Sequence, residues 1–350
     1  MKRNSWRQPR FDRMLSNLES GTYRGITQAI TILRTAYWYE RLRADTGRDT
    51  AYALGKHLQP TTYRKNAKGD AYHHNLWPKY ASGKHAPSLA LLDEIDLRVP
   101  GSKGYFRHAL FDAVDLTTAL GRGGDELLQR LHPSVQHAVF ERSALKHRVY
   151  RRRASLARTL ALLEPQGDLE VLAAGVVLLR EAQEARADER AFQIGESLYR
   201  MLVIACTGTQ ATFIRAELAF LILVLILPLA ESRGRTFVPD LAHFLRSCDR
   251  LNTVILGLED GNQIGGARKD CLRAMRRVLH GDFGDDLRFG LMAKLAPAAP
   301  LETLTARSQF DLHRNAVLTA WGWASLQSGK MEQFMPTDVL DQMGEVPRTA

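Results

Sequence analysis

The chain has 350 residues, a formal net charge of +10 at pH 7 and 45% hydrophobic residues. This length suits one large or two ordinary domains, and the apolar share is enough to build a packed core, which excludes a generally disordered chain. The three cysteines, at positions 206, 248 and 271, are scattered and form neither a CxxC pair nor a recognisable disulfide framework. A reducing, cytoplasmic location is therefore expected.

The charge is distributed unevenly along the chain. Residues 1–158 contain 28 Lys and Arg against 14 Asp and Glu, whereas residues 159–350 contain 20 against 24. A basic half attracts a polyanion, and the main cellular polyanions are nucleic acids and anionic lipid surfaces. We predict five segments: a basic arm (1–25), a nucleic-acid-binding domain (26–104), a basic helical connector (105–158), an all-helical oligomerisation or partner domain (159–335) and a tail (336–350).

The first hundred residues give the clearest element signals. Residues 1–20 are rich in arginine and are either a solvated tail or an arm that lies along phosphates. Apolar residues at helical spacing then predict a helix over 26–42. A second helix over 51–58 is predicted because Asp49 or Thr50 can cap it and Pro60 stops it. A polar, basic loop is expected at 60–70, a helix around 71–81, and a further helix over 89–97 that is capped by Ser88 and ended by Pro100.

The most specific segment is 77–99, which reads WPKYASGKHAPSLALLDEIDLRV. It resembles the second half of the phage-repressor and Cro-like helix-turn-helix family, in which an aromatic ends the recognition helix and a Gly-Lys turn and a Pro-Ser cap precede a leucine-paired helix. The residues that carry the resemblance are Trp77, Tyr80, Gly83, Lys84, Pro87, Ser88, Leu91, Leu92 and Ile95.

The resemblance implies that residues near 71–81 form a reading helix in the major groove of DNA. The side chains that this helix would present are Tyr72, His73, His74, Asn75 and Lys79. Asn75 would pair with adenine and Lys79 with guanine or a phosphate, and Lys84 and His85 would donate to a phosphate. The sequence departs from the family at two points: residues 59–70 replace a turn of about four residues, and Pro78 is expected to kink or restart the helix.

Two further basic segments are candidate nucleic-acid contacts. Arg64, Lys65 and Lys68 lie in the loop at 63–69, which is either an inserted wing that grips the phosphate backbone or a solvated surface loop. The second segment spans 142–158, where basic residues at helical spacing predict one basic helix face and make Arg148, Arg151 and Arg152 candidates.

The rest of the chain reads as a series of helices with no clear alternating strand pattern. Residues 218–230 are apolar without interruption, and this length is typical of a buried core helix, although an interfacial or membrane-inserting helix is the alternative. The predicted fold class is therefore all-α, with an N-terminal helix-turn-helix-like domain followed by a larger helical-bundle or stacked-hairpin domain.

No catalytic motif is apparent. The sequence lacks a Walker loop, a GxSxG elbow and an HExxH helix, and the glycine-rich stretch at 121–126 favours a turn. The histidines do not show a metal-ligand spacing, and the acidic pairs at 259–260 and 285–286 are typical of solvated turns, although a cation site is the alternative. We therefore predict no enzyme activity, no metal and no cofactor.

Three functions follow from these patterns. The first is a DNA-binding protein, a transcriptional regulator whose helical C-terminal domain senses a ligand or oligomerises. The second is a non-catalytic nucleic-acid-binding subunit of a larger nucleoprotein or anti-phage defence assembly. The third is a helical effector that inserts residues 218–230 into a membrane. The expected partners are duplex DNA and further copies of the chain or subunits of an assembly, with a membrane least favoured.

Overall fold

A computed structural model describes residues 7–65, 71–73, 76–121, 123–208, 211–329 and 334–344. The all-α prediction is confirmed, since the described elements are helices apart from four strands of three residues each. The chain divides into two compact units: unit 1 comprises residues 1–118 and 216–218, and unit 2 comprises residues 119–215 and 219–350. The expected connector at 105–158 is thus not a separate body but is divided between the two units.

Unit 1 contains short helices and one hairpin arranged around a long second helix. Its elements are α1 (Arg7–Glu19), α2 (Tyr23–Thr46), α3 (Ala51–Leu58), β1 (Tyr63–Lys65), β2 (Ala71–His73), α4 (Leu76–Ala81), α5 (Leu89–Arg98), α6 (Ser102–Phe106) and α7 (Ala109–Ala113). Local signals set the limits of α2. The Thr22 side chain accepts a hydrogen bond from the Gly25 amide at its start, and Gly47 adopts a left-handed conformation at its end.

The core of unit 1 forms where α2, α3, α4 and α5 meet. Its buried members are Trp38, Tyr39, Leu42, Leu54, Leu58, Trp77, Tyr80, Ala81, Leu91, Leu92 and Ile95. A fully buried leucine or aromatic side chain stabilises a fold by roughly 1.5–3 kcal/mol relative to exposure, so this cluster holds the four helices together. The residues that carry the helix-turn-helix resemblance are therefore mainly packing residues.

The N-terminal basic residues do not form the expected tail or phosphate-binding arm. Of those that the structure describes, Arg7, Arg10 and Arg13 belong to α1, and the side chain of Arg10 is completely buried. Its Nε donates to Glu217 at 2.6 Å and its Nη1 to Glu40 at 3.3 Å. A buried guanidinium requires carboxylate partners because an unpaired charge in the interior is costly. Two acidic residues distant in sequence supply them, which sequence periodicity could not indicate.

The segment expected to open the recognition helix is partly a strand. Residues Ala71–His73 pair antiparallel with Tyr63–Lys65, so that Arg64 lies opposite Tyr72 in the register. Pairing satisfies the backbone groups of these two short segments. Helix α4 then begins only at Leu76 and has six residues.

Unit 2 is larger and is built mainly from longer helices. Its elements are α8 (Gly123–Gln129), α9 (Pro133–Val139), α10 (Arg142–Leu145), α11 (Leu156–Leu163), α12 (Leu169–Glu184), α13 (Asp188–Thr207), α14 (Arg215–Leu221, of which 216–218 belong to unit 1), β3 (Arg235–Phe237), α15 (Leu241–Asp260), α16 (Arg268–His280), α17 (Asp285–Gly290), β4 (Leu295–Pro297), α18 (Ala306–Ser328) and α19 (Thr337–Gly344). Strands β3 and β4 pair antiparallel, with Thr236 opposite Ala296.

The long apolar run is interior, as its length indicated, but it is not one α-helix. After α14 the chain continues as a π-helical turn over Ile222–Ile226 and a 3-10 turn over Leu227–Ala230. Pro228 has no amide hydrogen to continue an α-helical ladder, which explains the change in winding. Leu221, Ile222 and Leu227 are at most 1% exposed. Among the described residues, no helix is long and apolar enough to cross a membrane.

The basic residues between 142 and 158 do not share one helix face. Helix α10 ends at Leu145, residues 146–155 form turns and extended chain, and α11 begins at Leu156. Arg148 adopts a left-handed backbone conformation with φ of 57°, which ends any helical continuation. The periodicity of arginines was therefore misleading, because charge spacing without an apolar stripe does not specify a helix.

Candidate nucleic-acid interface

The turn that follows α4 brings several basic groups of unit 1 together. The amide of Lys84 donates to the carbonyl of Lys79 at 2.8 Å, and that of His85 reaches the same carbonyl at 3.4 Å. This wrapping depends on Gly83, whose φ of +63° suits a residue without a side chain. We call Lys79, Lys84 and His85 the basic turn. Lys84 and His85 are exposed and Lys79 is half-buried.

Gly83 is also required by its packing. A Cβ atom at this position would lie 2.7 Å from Cγ2 of Ile32 in α2. The glycine therefore permits both the left-handed turn and the close approach of this turn to α2. Arg10 and Arg13 of α1 complete the arrangement by donating to the carbonyls of Ala81 and Ser82 at the end of α4. The helix end is thus capped by guanidinium groups, which also favour its negative dipole end.

The aromatic residues of α4 lie in the core and do not face a groove of DNA. The rings of Trp77 and Trp38 stack with centroids 5.7 Å apart, and Tyr80 meets Trp38 edge-on at 5.9 Å. Pro78 lies in the first turn of α4, where backbone amides have no intrahelical acceptor, so it opens the helix without breaking it. Of this helix, Leu76, Pro78 and Lys79 remain accessible.

Gln59 links three elements around this site, and sequence reasoning missed it. Its side-chain oxygen accepts from Trp77 Nε1 at 3.2 Å, and its amide nitrogen donates to Glu94 of α5 at 3.1 Å. A single amide therefore satisfies a buried indole N–H and joins the end of α3 to α4 and α5. The expected Ser88 cap is confirmed, since its hydroxyl accepts from the Leu91 amide at 3.2 Å.

Helix α3 packs against Tyr63, the first residue of the hairpin. Gly55 has no side chain, which leaves room for the Tyr63 hydroxyl and the Trp77 ring against α3. Tyr63 meets Tyr52 edge-on with centroids 5.3 Å apart, and burial, assisted by Tyr52, raises the pKa of its phenol. The hairpin therefore begins from a fixed residue, and Arg64 and Lys65 follow immediately on β1.

The predicted contact residues of unit 1 fall into three groups. Lys79, Lys84 and His85 lie together on the basic turn. Arg64, Lys65, Tyr72 and His73 lie on the hairpin strands, which bring them into one antiparallel register. Lys68, His74 and Asn75 lie outside the described residues. Of the structural motif, Trp77, Tyr80, Gly83 and Pro87 are buried, and Ser88 is an exposed helix cap.

The cations of unit 1 differ in whether a carboxylate lies close to them. Arg10, Arg34, Arg41, Arg43 and Lys103 each have a carboxylate within 4.0 Å. In the part of the chain that the structure describes, the cations of α3, α4 and the following turn have no such partner: Lys56, His57, Lys79, Lys84 and His85. The first group serves the fold, whereas the second is available to a phosphate.

Three arginines of unit 2 were predicted to contact nucleic acid, and they differ in exposure and in ion pairing. Arg148 is exposed, and Arg151 is exposed with only a 3.7 Å contact to Glu141. Arg152, by contrast, pairs with Asp125 at 2.7 Å and with Glu181 at 2.6 Å. Its guanidinium also lies 5.3 Å from the ring centre of Phe140. Arg152 therefore holds unit 2 together and has little capacity left for a phosphate.

Within the described residues, no group of three or more His, Cys, Asp or Glu side chains converges as a metal site would require. Comparison of the chain with protein-family models, with curated proteins and with solved structures found no match. Function is therefore inferred from the residues and the geometry described above.

Proposed function

We propose that unit 1 binds duplex DNA, with the basic turn and the β1–β2 hairpin on the phosphate backbone. The observation that carries this proposal is the grouping of cations on α3, α4 and the turn, which have no carboxylate partner among the described residues. Arg10 and Arg43 of the same unit are ion-paired, whereas Arg24 and Arg48 are exposed elsewhere on it and serve below as the comparison. Unpaired lysines on a rigid turn release counterions when they meet phosphates, which provides affinity without sequence preference.

Sequence preference would come from the residues just before and within α4. The helix-turn-helix resemblance assigns an adenine contact to Asn75 and a guanine or phosphate contact to Lys79, and these residue types read such bases in the major groove. A DNA-binding regulator of transcription is the role that such a module fits. This function explains why a rigid, well-packed core supports a short basic turn, since phosphate contacts fix the register in which bases are read.

The second candidate is a subunit that binds nucleic acid without sequence preference. It is favoured by one observation: α4 has only six residues, and Trp77, Tyr80 and Ala81 are buried in the core. A helix this short offers few side chains to base edges, whereas phosphate contacts need only the exposed cations. The two candidates differ in whether one duplex sequence is preferred.

The experiment measures binding of the full chain to fluorescent duplexes by anisotropy at several salt concentrations. The test variant is Lys79→Gln with Lys84→Gln. The matched control is Arg24→Gln with Arg48→Gln, which removes the same charge from exposed positions elsewhere on unit 1. The plot of log K against log salt has a negative slope, and each lost phosphate contact reduces the magnitude of that slope by about 0.9. We therefore expect a slope reduced by up to about 1.8 in the test variant and a much smaller change in the control.

Equal losses in the test and control variants would contradict the proposed interface, since net charge alone would then explain binding. Sequence preference is tested with a randomised duplex library recovered on the wild-type chain. One enriched motif that is lost in Asn75→Ala supports the regulator, and uniform recovery supports the second candidate.

A further inference from the structure

Unit 2 contains a small pocket of about 160 Å³. It lies where α13, β3–β4, α16–α17 and α18 approach one another. Its apolar lining includes Phe237, Leu279, Leu291, Met292 and Leu295. Its polar side chains are Glu196, Arg200, Arg288 and Asn315, together with the ring of Tyr199. The pocket therefore combines an apolar body with charged groups, which is the composition of a ligand site.

Arg200 is held in place from behind by a buried carboxylate. Its Nε and Nη2 donate to one oxygen of Glu164 at 3.1 and 2.9 Å. Glu164 is 2% exposed and also accepts from the Ser197 hydroxyl at 2.6 Å. These contacts fix the guanidinium, and its remaining Nη1 has no protein acceptor in the described part of the chain. A preorganised donor of this kind binds an anion without first losing side-chain freedom.

The charges around the pocket are predominantly positive. Arg276 and His280 also approach Glu164, at 3.5 and 2.6 Å, so one carboxylate serves several basic groups. Arg288 has no carboxylate within ion-pair distance among the residues that the structure describes. Glu196 is the one acidic residue in the described lining, and its side chain is exposed at the edge of the pocket.

Another part of the pocket lining is held by hydrogen bonds. The side-chain oxygen of Asn315 accepts from the Leu295 amide at 2.8 Å, and its nitrogen donates to the Ala293 carbonyl at 3.1 Å. Asn315 thus uses its polar atoms to tie α18 to the β4 region and shapes the pocket without reading a ligand. The two arginines remain as the groups that would select a ligand by charge.

We propose that this pocket binds a small organic anion, with a carboxylate or phosphate group against Arg200 and Arg288 and an apolar body against Phe237 and Leu291. The volume is small, since about five water molecules would occupy the same volume in liquid water. It also lies below the range of pockets that bind drug-sized ligands. A compact monoanion therefore fits better than a nucleotide. The proposal concerns unit 2 and does not depend on nucleic-acid binding by unit 1.

The test uses three probes of nearly the same shape and different charge: benzoate, benzamide and benzamidine. Binding to the full chain is measured by calorimetry at constant ionic strength, with butyrate as a slimmer carboxylate. We expect benzoate or butyrate to bind and benzamide and benzamidine to bind at least tenfold more weakly. Arg288→Gln should weaken carboxylate binding about tenfold, which is the loss of one charged hydrogen-bond partner. Arg250→Gln, an exposed change on α15, should leave it unaltered.

Glu196→Gln distinguishes an anion from a zwitterion. Removal of this carboxylate should strengthen benzoate binding several-fold if the ligand is an anion. The proposal is overturned if benzamidine binds as well as benzoate, if Glu196→Gln weakens binding, or if neither carboxylate binds more tightly than benzamide. Arg288→Gln is preferred to an Arg200 variant because Arg200 also stabilises Glu164. Loss of Arg200 would lower the stability of the fold as well as ligand affinity, so the two effects could not be separated.

Discussion

Trp38 and Trp77 stack in the centre of unit 1 with an interplanar angle of 18° and ring centroids 5.7 Å apart. The two rings join the long helix α2 to the short helix α4, and each is at most 1% exposed. Since α4 has too few residues to be stable alone, its position depends on packing contacts, of which this stacking is one. The basic turn follows α4 directly, so its position depends on an aromatic pair in the core.

Replacement of Trp77 by alanine should therefore destabilise unit 1 strongly. Loss of a buried tryptophan costs about 3–5 kcal/mol, and it would also leave Gln59 without its indole donor. Urea unfolding followed by circular dichroism measures the change in free energy. The control is Leu97→Ala on α5, where the side chain is 86% exposed and the change should stay within about 0.5 kcal/mol. A Trp77→Ala cost as small as that of the control would contradict the described core.

Gly83→Ala tests the turn itself, and Gly47→Ala is its matched control. Both glycines have nearly the same backbone, with φ of +63° and +64°, so alanine costs about 1–2 kcal/mol at each. The added methyl group of Gly83→Ala would meet Ile32, whereas at Gly47 no atom lies within 4 Å. We expect Gly83→Ala to cost at least about 1 kcal/mol more than Gly47→Ala in thermal unfolding. Equal costs would mean that the turn can move away from α2.

Local signals explain what the sequence could predict of the fold. The bounds of α3 were predicted correctly because Thr50 and Pro60 lie at its two ends, and α5 was predicted to within one residue because Ser88 caps its start. The hairpin at 63–73 was missed because strands of three residues are too short for an alternating pattern. The basic face at 142–158 was wrong because arginine spacing carries no information about burial.

The candidate interface was predictable only in part. Gly83 and Lys84 are adjacent in sequence to a helix end, so a turn with exposed cations could be recognised. The partners of Arg10, by contrast, are Glu40 and Glu217, the second of which is separated from it by 207 residues. Pairing at such a distance determines which cations are available to phosphate, and no local pattern encodes it. The same holds for Arg152 and its partner Glu181.

Because of Glu164, the stability of unit 2 should decrease at acid pH. Burial would raise the pKa of this carboxyl group, but the hydrogen bond from His280 and the charge of Arg200 outweigh it and lower the pKa to about 2. A lowered pKa in the folded state stabilises the fold above the ordinary value near 4.5, and this contribution is lost as the pH falls from there towards 2. It amounts to about 3 kcal/mol, since each pKa unit corresponds to about 1.4 kcal/mol.

Glu164→Gln measures this contribution directly. At pH 7 the variant should be about 3–5 kcal/mol less stable, because Arg200 loses its buried partner. The difference from the wild type should shrink steadily below pH 4.5. The exposed Glu126→Gln serves as the control and should change stability by less than about 0.5 kcal/mol. A Glu164→Gln difference that stays constant from pH 7 to pH 3 would contradict the charged network.

Arg148 and Arg152 lie four residues apart in the same basic run, yet they should behave oppositely. Arg152→Gln should cost about 2 kcal/mol of stability, since Asp125 and Glu181 lose a charged hydrogen-bond donor. Arg148→Gln should leave stability unchanged, because its side chain is exposed. If this segment also contacts nucleic acid, Arg148→Gln should lower the salt slope of binding by about 0.9. Urea unfolding measures the effect of each variant on stability, and anisotropy measures its effect on nucleic-acid binding. A stability loss in Arg148→Gln with none in Arg152→Gln would contradict the structural role given to Arg152.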